Sequence, residues 1–170
     1  QDAPLEAEDC VIDLGASALI PEDYVPDVHT RLSLYQRLTA ADDADTVDQL
    51  KSETIDRFGP LPEATDMLFG NARLRIRARR LGINQLRATD ASVTVDFGPV
   101  TPVDPLRLIQ LVQADPKAWR VESEQRVIYR AAAEDLAAQR THADAVLQQL
   151  EQACSDGDTA VRTDSATLSA

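Results

Sequence analysis

The spacing of the apolar residues changes at Gly82 from helical to alternating, and that change limits the fold more than any other feature. Before Gly82, apolar positions recur at the spacing of helices with one covered face. After it, INQLRA (83–88) and SVTVDFG (92–98) alternate, as half-buried strands do. Helices first and hairpins later imply an α+β domain rather than an alternating α/β fold.

Local signals divide the chain further. CVIDL (10–14) is a short strand-like run, and Pro21 and Pro26 keep the segment after it extended. Asp27 is placed to cap a first helix over about 27–39, with Val28, Leu32, Tyr35 and Leu38 as its stripe. A second helix over about 45–58 aligns Val47, Leu50, Thr54 and Phe58, and Gly59 stops it. Pro62 opens a third helix that runs to Leu81. Asp104 and Pro105 start a fourth, carrying Leu106, Ile109 and Val112 and ended by Asp115 and Pro116. AWRVE and RVIYR around Ser123 to Gln125 form a second hairpin, and a final helix over about 133–153 aligns Leu136, Ala143, Leu147 and Leu150. The expected architecture is α+β, with N-terminal helices packed on two β-hairpins and a long C-terminal helix. Residues 10–153 form the domain, between polar segments 1–9 and 154–170 expected to be flexible.

With 44% apolar and 27% charged residues among 170, the chain is neither a disordered polymer nor a membrane protein. No apolar run reaches the roughly 18–20 residues that span a bilayer, and the N-terminus has no signal pattern, so a cytoplasmic location is expected. The single methionine is Met67, which points to a piece of a longer protein. A formal charge of −12 disfavours nonspecific nucleic-acid binding.

Catalytic chemistry finds little support. Neither Lys51 nor Lys117 follows a phosphate-cradling glycine loop, so the chain alone is not expected to be an ATPase. Cys10, Cys154, His29 and His142 are isolated, which argues against a metal centre and against a Cys/His dyad. The cysteines are read as reduced thiols, and no cofactor, metal or catalytic residue is assigned.

Two charge segregations stand out. Arg73, Arg75, Arg77, Arg79 and Arg80 crowd the end of the third helix, where the dipole favours cations. They form either a solvated helix end or a contact for an anionic partner, with Arg73, Arg77 and Arg80 as candidate secondary contacts. No aromatic interleaves them, as single-strand binding would require. Acids dominate the second helix: Asp42, Asp43, Asp45 and Asp48 suit its N-terminal end, but Glu53 and Asp56 lie near the end where the dipole disfavours them. Three residues apart, Glu53 and Asp56 form an outward pair that is either a solvated face or a site compensated by a basic partner, Arg57 or another protein.

ALIPEDYVPDVHTRLSLYQRL (18–38), ETIDRFGPLPE (53–63) and ARLRIRARRLGI (72–83) resemble, in order and spacing, the C-terminal domain of bacterial transcription-repair coupling factors (Mfd, the TRCF domain). The resemblance covers roughly 10–153. It implies a noncatalytic regulatory domain of a cytoplasmic, ATP-dependent DNA translocase that removes stalled RNA polymerase and recruits excision repair through UvrA. ATP and magnesium, double-stranded DNA and RNA polymerase would then be partners of the full-length protein, not of this domain. The domain would dock on the N-terminal UvrB-like module, mask the UvrA-binding surface and restrain the motor. Matched position by position, the family's acidic docking residues fall on Glu53 and Asp56. The alternative is a nucleic-acid-binding accessory domain that uses the Arg73 to Arg80 segment.

Overall fold

Caps decide where the helices begin. In the computed structural model, which describes residues 10–155, Asp27 accepts the Thr30 N–H at 2.9 Å and starts α1 (Val28–Ala40). Asp43 accepts the Thr46 N–H at 2.7 Å and starts α2 (Ala44–Phe58). α3 (Glu63–Arg80) follows Pro62. Asp104 caps α4 (Pro105–Ala114), and Asp135 caps α5 (Leu136–Gln152) by accepting the Ala138 N–H at 2.8 Å. α5 begins after the expected 133 because the Ala131 and Ala133 N–H groups bond to the Ala91 and Asp90 carbonyls and hold that stretch extended.

The strands are β1 (Val11–Asp13), β2 (Ile83–Ala88), β3 (Ser92–Phe97), β4 (Trp119–Val121) and β5 (Arg126–Arg130). They form one sheet in the order β1-β2-β3-β5-β4. Both expected hairpins are present, joined by antiparallel pairing of β3 with β5. β1 joins the edge in parallel with β2, which makes the α+β sheet mixed. The β2–β3 register shifts between Ile83 and Gln85. Ile83 and Leu86 lie an odd number of residues apart and would face opposite sides of a regular strand. The extra residue at Asn84 turns both inward.

Two apolar clusters share α3. Leu86, Val93, Val95, Val127 and Trp119 of the sheet pack with Leu147 and Leu150 of α5 and with Leu74 and Ala78 of α3. Leu34 and Leu38 of α1 and Val47 and Leu50 of α2 pack with Phe69, Ala72 and Ile76 of α3. Sandwiched in this way, α3 buries residues on two opposite sides, which is why its second half alternates apolar residues with arginine.

The expected stripe of α2 holds: Val47, Leu50 and Thr54 are buried, and the Thr54 hydroxyl donates to the Leu50 carbonyl at 2.7 Å, so its polar atom is satisfied. The stripe of α1 holds only in its second half, at Tyr35 and Leu38. Val28 and Leu32 are half exposed, and Leu34 and Leu38 face the core with Tyr35 beside them. At about 100° per residue Leu32 stands about 160° from Leu34, and the packing of α3 selects the second face. In α4, likewise, Leu106 and Ile109 are exposed, while Leu108, Leu111 and Val112 lean on the sheet cluster. No helix among the described residues is long and apolar enough to cross a membrane. The polar segments 1–9 and 156–170 lie outside the described residues. Cys154 and Ser155 bond back to the chain before α4, through the Val103–Cys154 bridge and the Ser155 N–H to the Pro102 carbonyl at 2.9 Å.

Candidate partner-docking face on α2

With Val47, Leu50 and Thr54 turned inward, α2 must present Asp48, Ser52, Glu53 and Asp56 to solvent. These residues, with Gln49 and Arg57, line an open depression of about 500 Å³. Its acids differ in environment. Asp48 is ion-paired with Arg73 of α3. Glu53 receives both ends of the Arg37 guanidinium, Nη1 to Oε2 at 2.7 Å and Nη2 to Oε1 at 3.0 Å. Those hydrogen bonds, aided by the charges of Arg37 and then Arg57, hold the Glu53 carboxyl below the usual carboxylate range. Asp56 is exposed and has no hydrogen bond or ion pair among the described residues. Arg57, the expected local compensation, acts on Glu53 through its charge alone, while its guanidinium lies over the Phe58 ring, 4.9 Å from the centroid.

The two expected site residues thus share one face with unequal availability. Asp56 has both oxygens open. Glu53 keeps a second lone-pair site on each oxygen after Arg37 has bound. Arg37, in the last turn of α1, was missed by the sequence reading. Its favourable place at the helix dipole was the only local hint, because its partner comes from another helix.

The arginines of α3 fall into two seams. Arg75 and Arg79 lie one turn apart and act on Cys10, whose thiol is pushed up to about 11 by burial against the lowering influence of those two charges. Arg73, Arg77 and Arg80 form the other seam. Arg77 binds Glu151 through Nε and Nη2, both at 3.0 Å, and also pairs with Asp144. Arg80 donates to the Asp42 carbonyl at 3.2 Å. Cys10 and Cys154 are free thiols. Burial raises the Cys154 thiol as well, and no contact between either thiol and His29 or His142 occurs among the described residues.

Fold and face together define an α+β domain that presents charged helix surfaces, acidic on α2 and basic between α3 and α5. Residues 14–108 match the TRCF domain model. The chain is 33% identical over 148 residues to the transcription-repair-coupling factor of Escherichia coli, covering 87% of this chain and 13% of that protein. It is 39% identical over 111 residues to that of Haemophilus influenzae, covering 65% of this chain and 10% of that protein. A crystal structure of the C-terminal domain of transcription-repair coupling factor superposes with a TM-score of 0.65 at 15% identity, over 85% of this chain and 95% of that one, and it shows the shared fold. The chain belongs to the TRCF-domain family of transcription-repair-coupling factors, and it spans a small fraction of the length of those relatives.

Proposed function

We propose that this domain is a noncatalytic regulator of a transcription-repair coupling factor. It docks through the acidic face of α2 on the N-terminal UvrB-like module of the same protein, masks the UvrA-binding surface and restrains the ATP-dependent DNA translocase. ATP, magnesium, double-stranded DNA and RNA polymerase belong on this reading to the rest of the protein, which works in the cytoplasm. The observation that carries the reading is the unequal acid pair: Asp56 stands uncompensated beside a Glu53 that Arg37 has already oriented.

A guanidinium from the partner would take Asp56 in charge-assisted hydrogen bonds and add to the free lone pairs of Glu53. Because Arg37 holds the Glu53 carboxylate in place, less side-chain freedom is lost on docking. A releasable lock calls for a coupling of about 1–3 kcal/mol, which is reciprocal: whatever binds the freed module weakens docking by the same factor. Against the nucleic-acid reading stand Asp48, Asp144 and Glu151, which engage Arg73 and Arg77.

The test is Glu53→Lys together with Asp56→Lys in the full-length protein, with UvrA affinity as the readout. A coupling of that size raises UvrA affinity by about 5- to 150-fold. Unchanged affinity overturns the docking assignment.

A further inference from the structure

Arg73, Arg77 and Arg80 stand at successive turns of α3, on a seam that the two apolar clusters leave open. The seam opens into a cleft of about 410 Å³, floored by Leu74 and Ile76 and closed on its far side by Arg140 and Asp144 of α5. Ala44, the first residue of α2, completes the wall. Four guanidiniums and one carboxylate therefore line one concavity in a chain whose formal charge is −12.

Two of the four arginines are matched by carboxylates: Arg73 by Asp48, and Arg77 by Glu151 and Asp144. Arg80 is paired with no carboxylate among the described residues, and Arg140 reaches one only in a long ion pair. Among the described residues Arg80 donates only to the Asp42 carbonyl at 3.2 Å, and its charge reaches Asp43, which is itself occupied as the α2 cap. For Arg140 the nearest carboxylate is Asp66 at 3.9 Å, which also pairs with Lys51 at 3.3 Å. Its Nη2 contacts the Met67 sulfur at 2.9 Å, a weak acceptor, and its buried Nε has no hydrogen-bond partner among the described residues. Gly70 admits this guanidinium: a Cβ there would stand 2.6 Å from Arg140 Cζ.

We propose that the cleft binds an acidic peptide segment of a protein partner, whose carboxylates pair with Arg80 and Arg140 while an adjacent aliphatic side chain rests on Leu74 and Ile76. The volume suits one or two inserted side chains rather than a duplex, and no aromatic residue lines it on which a base could stack. The apolar floor gives an acidic peptide a contact that a bare phosphate cannot use. This surface is separate from the acidic face of α2, and the inference does not rest on the docking proposed there.

The test is fluorescence anisotropy of the 170-residue chain with a labelled short peptide of alternating Glu and Leu. The matching Gln and Leu peptide, a short DNA duplex and inorganic phosphate serve as comparisons. Saturable binding of the acidic peptide is expected. Arg80→Gln is expected to weaken it about tenfold, about 1.4 kcal/mol, and adding Arg140→Gln to weaken it further. Circular dichroism checks that each variant is folded, and Arg80 is exposed enough for its substitution to spare the core. Glu53→Lys with Asp56→Lys leaves this binding in place, so its failure and that of the α2 reading are distinguishable. The proposal is overturned if no saturable binding occurs, if the Gln peptide binds equally well, if Arg80→Gln leaves binding unchanged, or if DNA or phosphate outcompetes the peptide.

Discussion

Gly82 joins the last turn of α3 to β2, and its substitution separates two reasons for requiring glycine. Its φ is +72°, a left-handed conformation that costs an alanine about 1–2 kcal/mol. In addition, a Cβ at this position would stand 2.1 Å from the Val100 carbonyl oxygen and 2.9 Å from Thr101 Cα, both backbone atoms. Moving that backbone strains the bond from the Thr101 hydroxyl to the Leu81 carbonyl, 2.6 Å, and the bond from the Gly98 N–H to the Gly82 carbonyl, 2.7 Å. At about 1 kcal/mol per hydrogen bond, Gly82→Ala destabilises the domain by about 3–4 kcal/mol. Gly82→Asn distinguishes the causes, since asparagine tolerates the left-handed region but carries the same Cβ. If conformation alone mattered, Asn would recover most of the loss. The close approach predicts that Asn recovers at most the conformational part, about 1–2 kcal/mol, and keeps the rest of the loss. Urea unfolding followed by circular dichroism measures both, provided the m-value is unchanged. Recovery by Asn to within about 0.5 kcal/mol of the parent, well below one hydrogen bond, would refute the close contact as the deciding constraint.

Other expectations follow from the same physics. Leu86→Ala, at a fully buried position in the middle strands, costs about 2–5 kcal/mol in the same urea assay. Arg37→Gln raises the Glu53 carboxyl toward the ordinary range, read by NMR titration. Because the folded-state pKa lies below the unfolded one, the pair's contribution is present above the unfolded pKa and lost as pH falls through the folded one. The Cys10 thiol has the opposite sign. Raised from 9.0 to about 11, it makes stability fall as pH climbs from 9.0 toward 11, a dependence that Cys10→Ala removes in urea melts across that range. In native protein at mildly alkaline pH, Cys154 alkylates before Cys10, since Cys10 is the more deeply buried, and mass spectrometry of partly labelled samples shows the order.

The sequence revealed what is decided within a few residues. Asp27 and Asp104 mark helix starts because a cap is a local hydrogen bond, and Gly59 and Gly82 mark stops because they adopt positive φ. What required tertiary contacts was hidden. The sequence of α1 carries two apolar faces, and only the arrival of α3 chooses Leu34 and Leu38 over Val28 and Leu32. That β1 adds to β2 in parallel depends on a partner some seventy residues away, with Val11 opposite Gln85. The acidic face was legible because the buried stripe of α2 fixes which side Glu53 and Asp56 must occupy. The pairing of Arg37 with Glu53, and of Arg77 with Asp144 and Glu151, was not, since each joins different helices. Arg140 drew no attention in the sequence. It gains significance only when Gly70, far from it along the chain, leaves room for its guanidinium.

The claim that α2 carries a docking face for a basic partner is tested most directly by titrating this domain with the separately produced N-terminal UvrB-like module, first unaltered and then with Glu53→Lys and Asp56→Lys. Saturable, salt-sensitive binding that the double reversal weakens by tenfold or more, about 1.4 kcal/mol, is the expected result. Equal binding by the unaltered and reversed domains, or none by either, would contradict it.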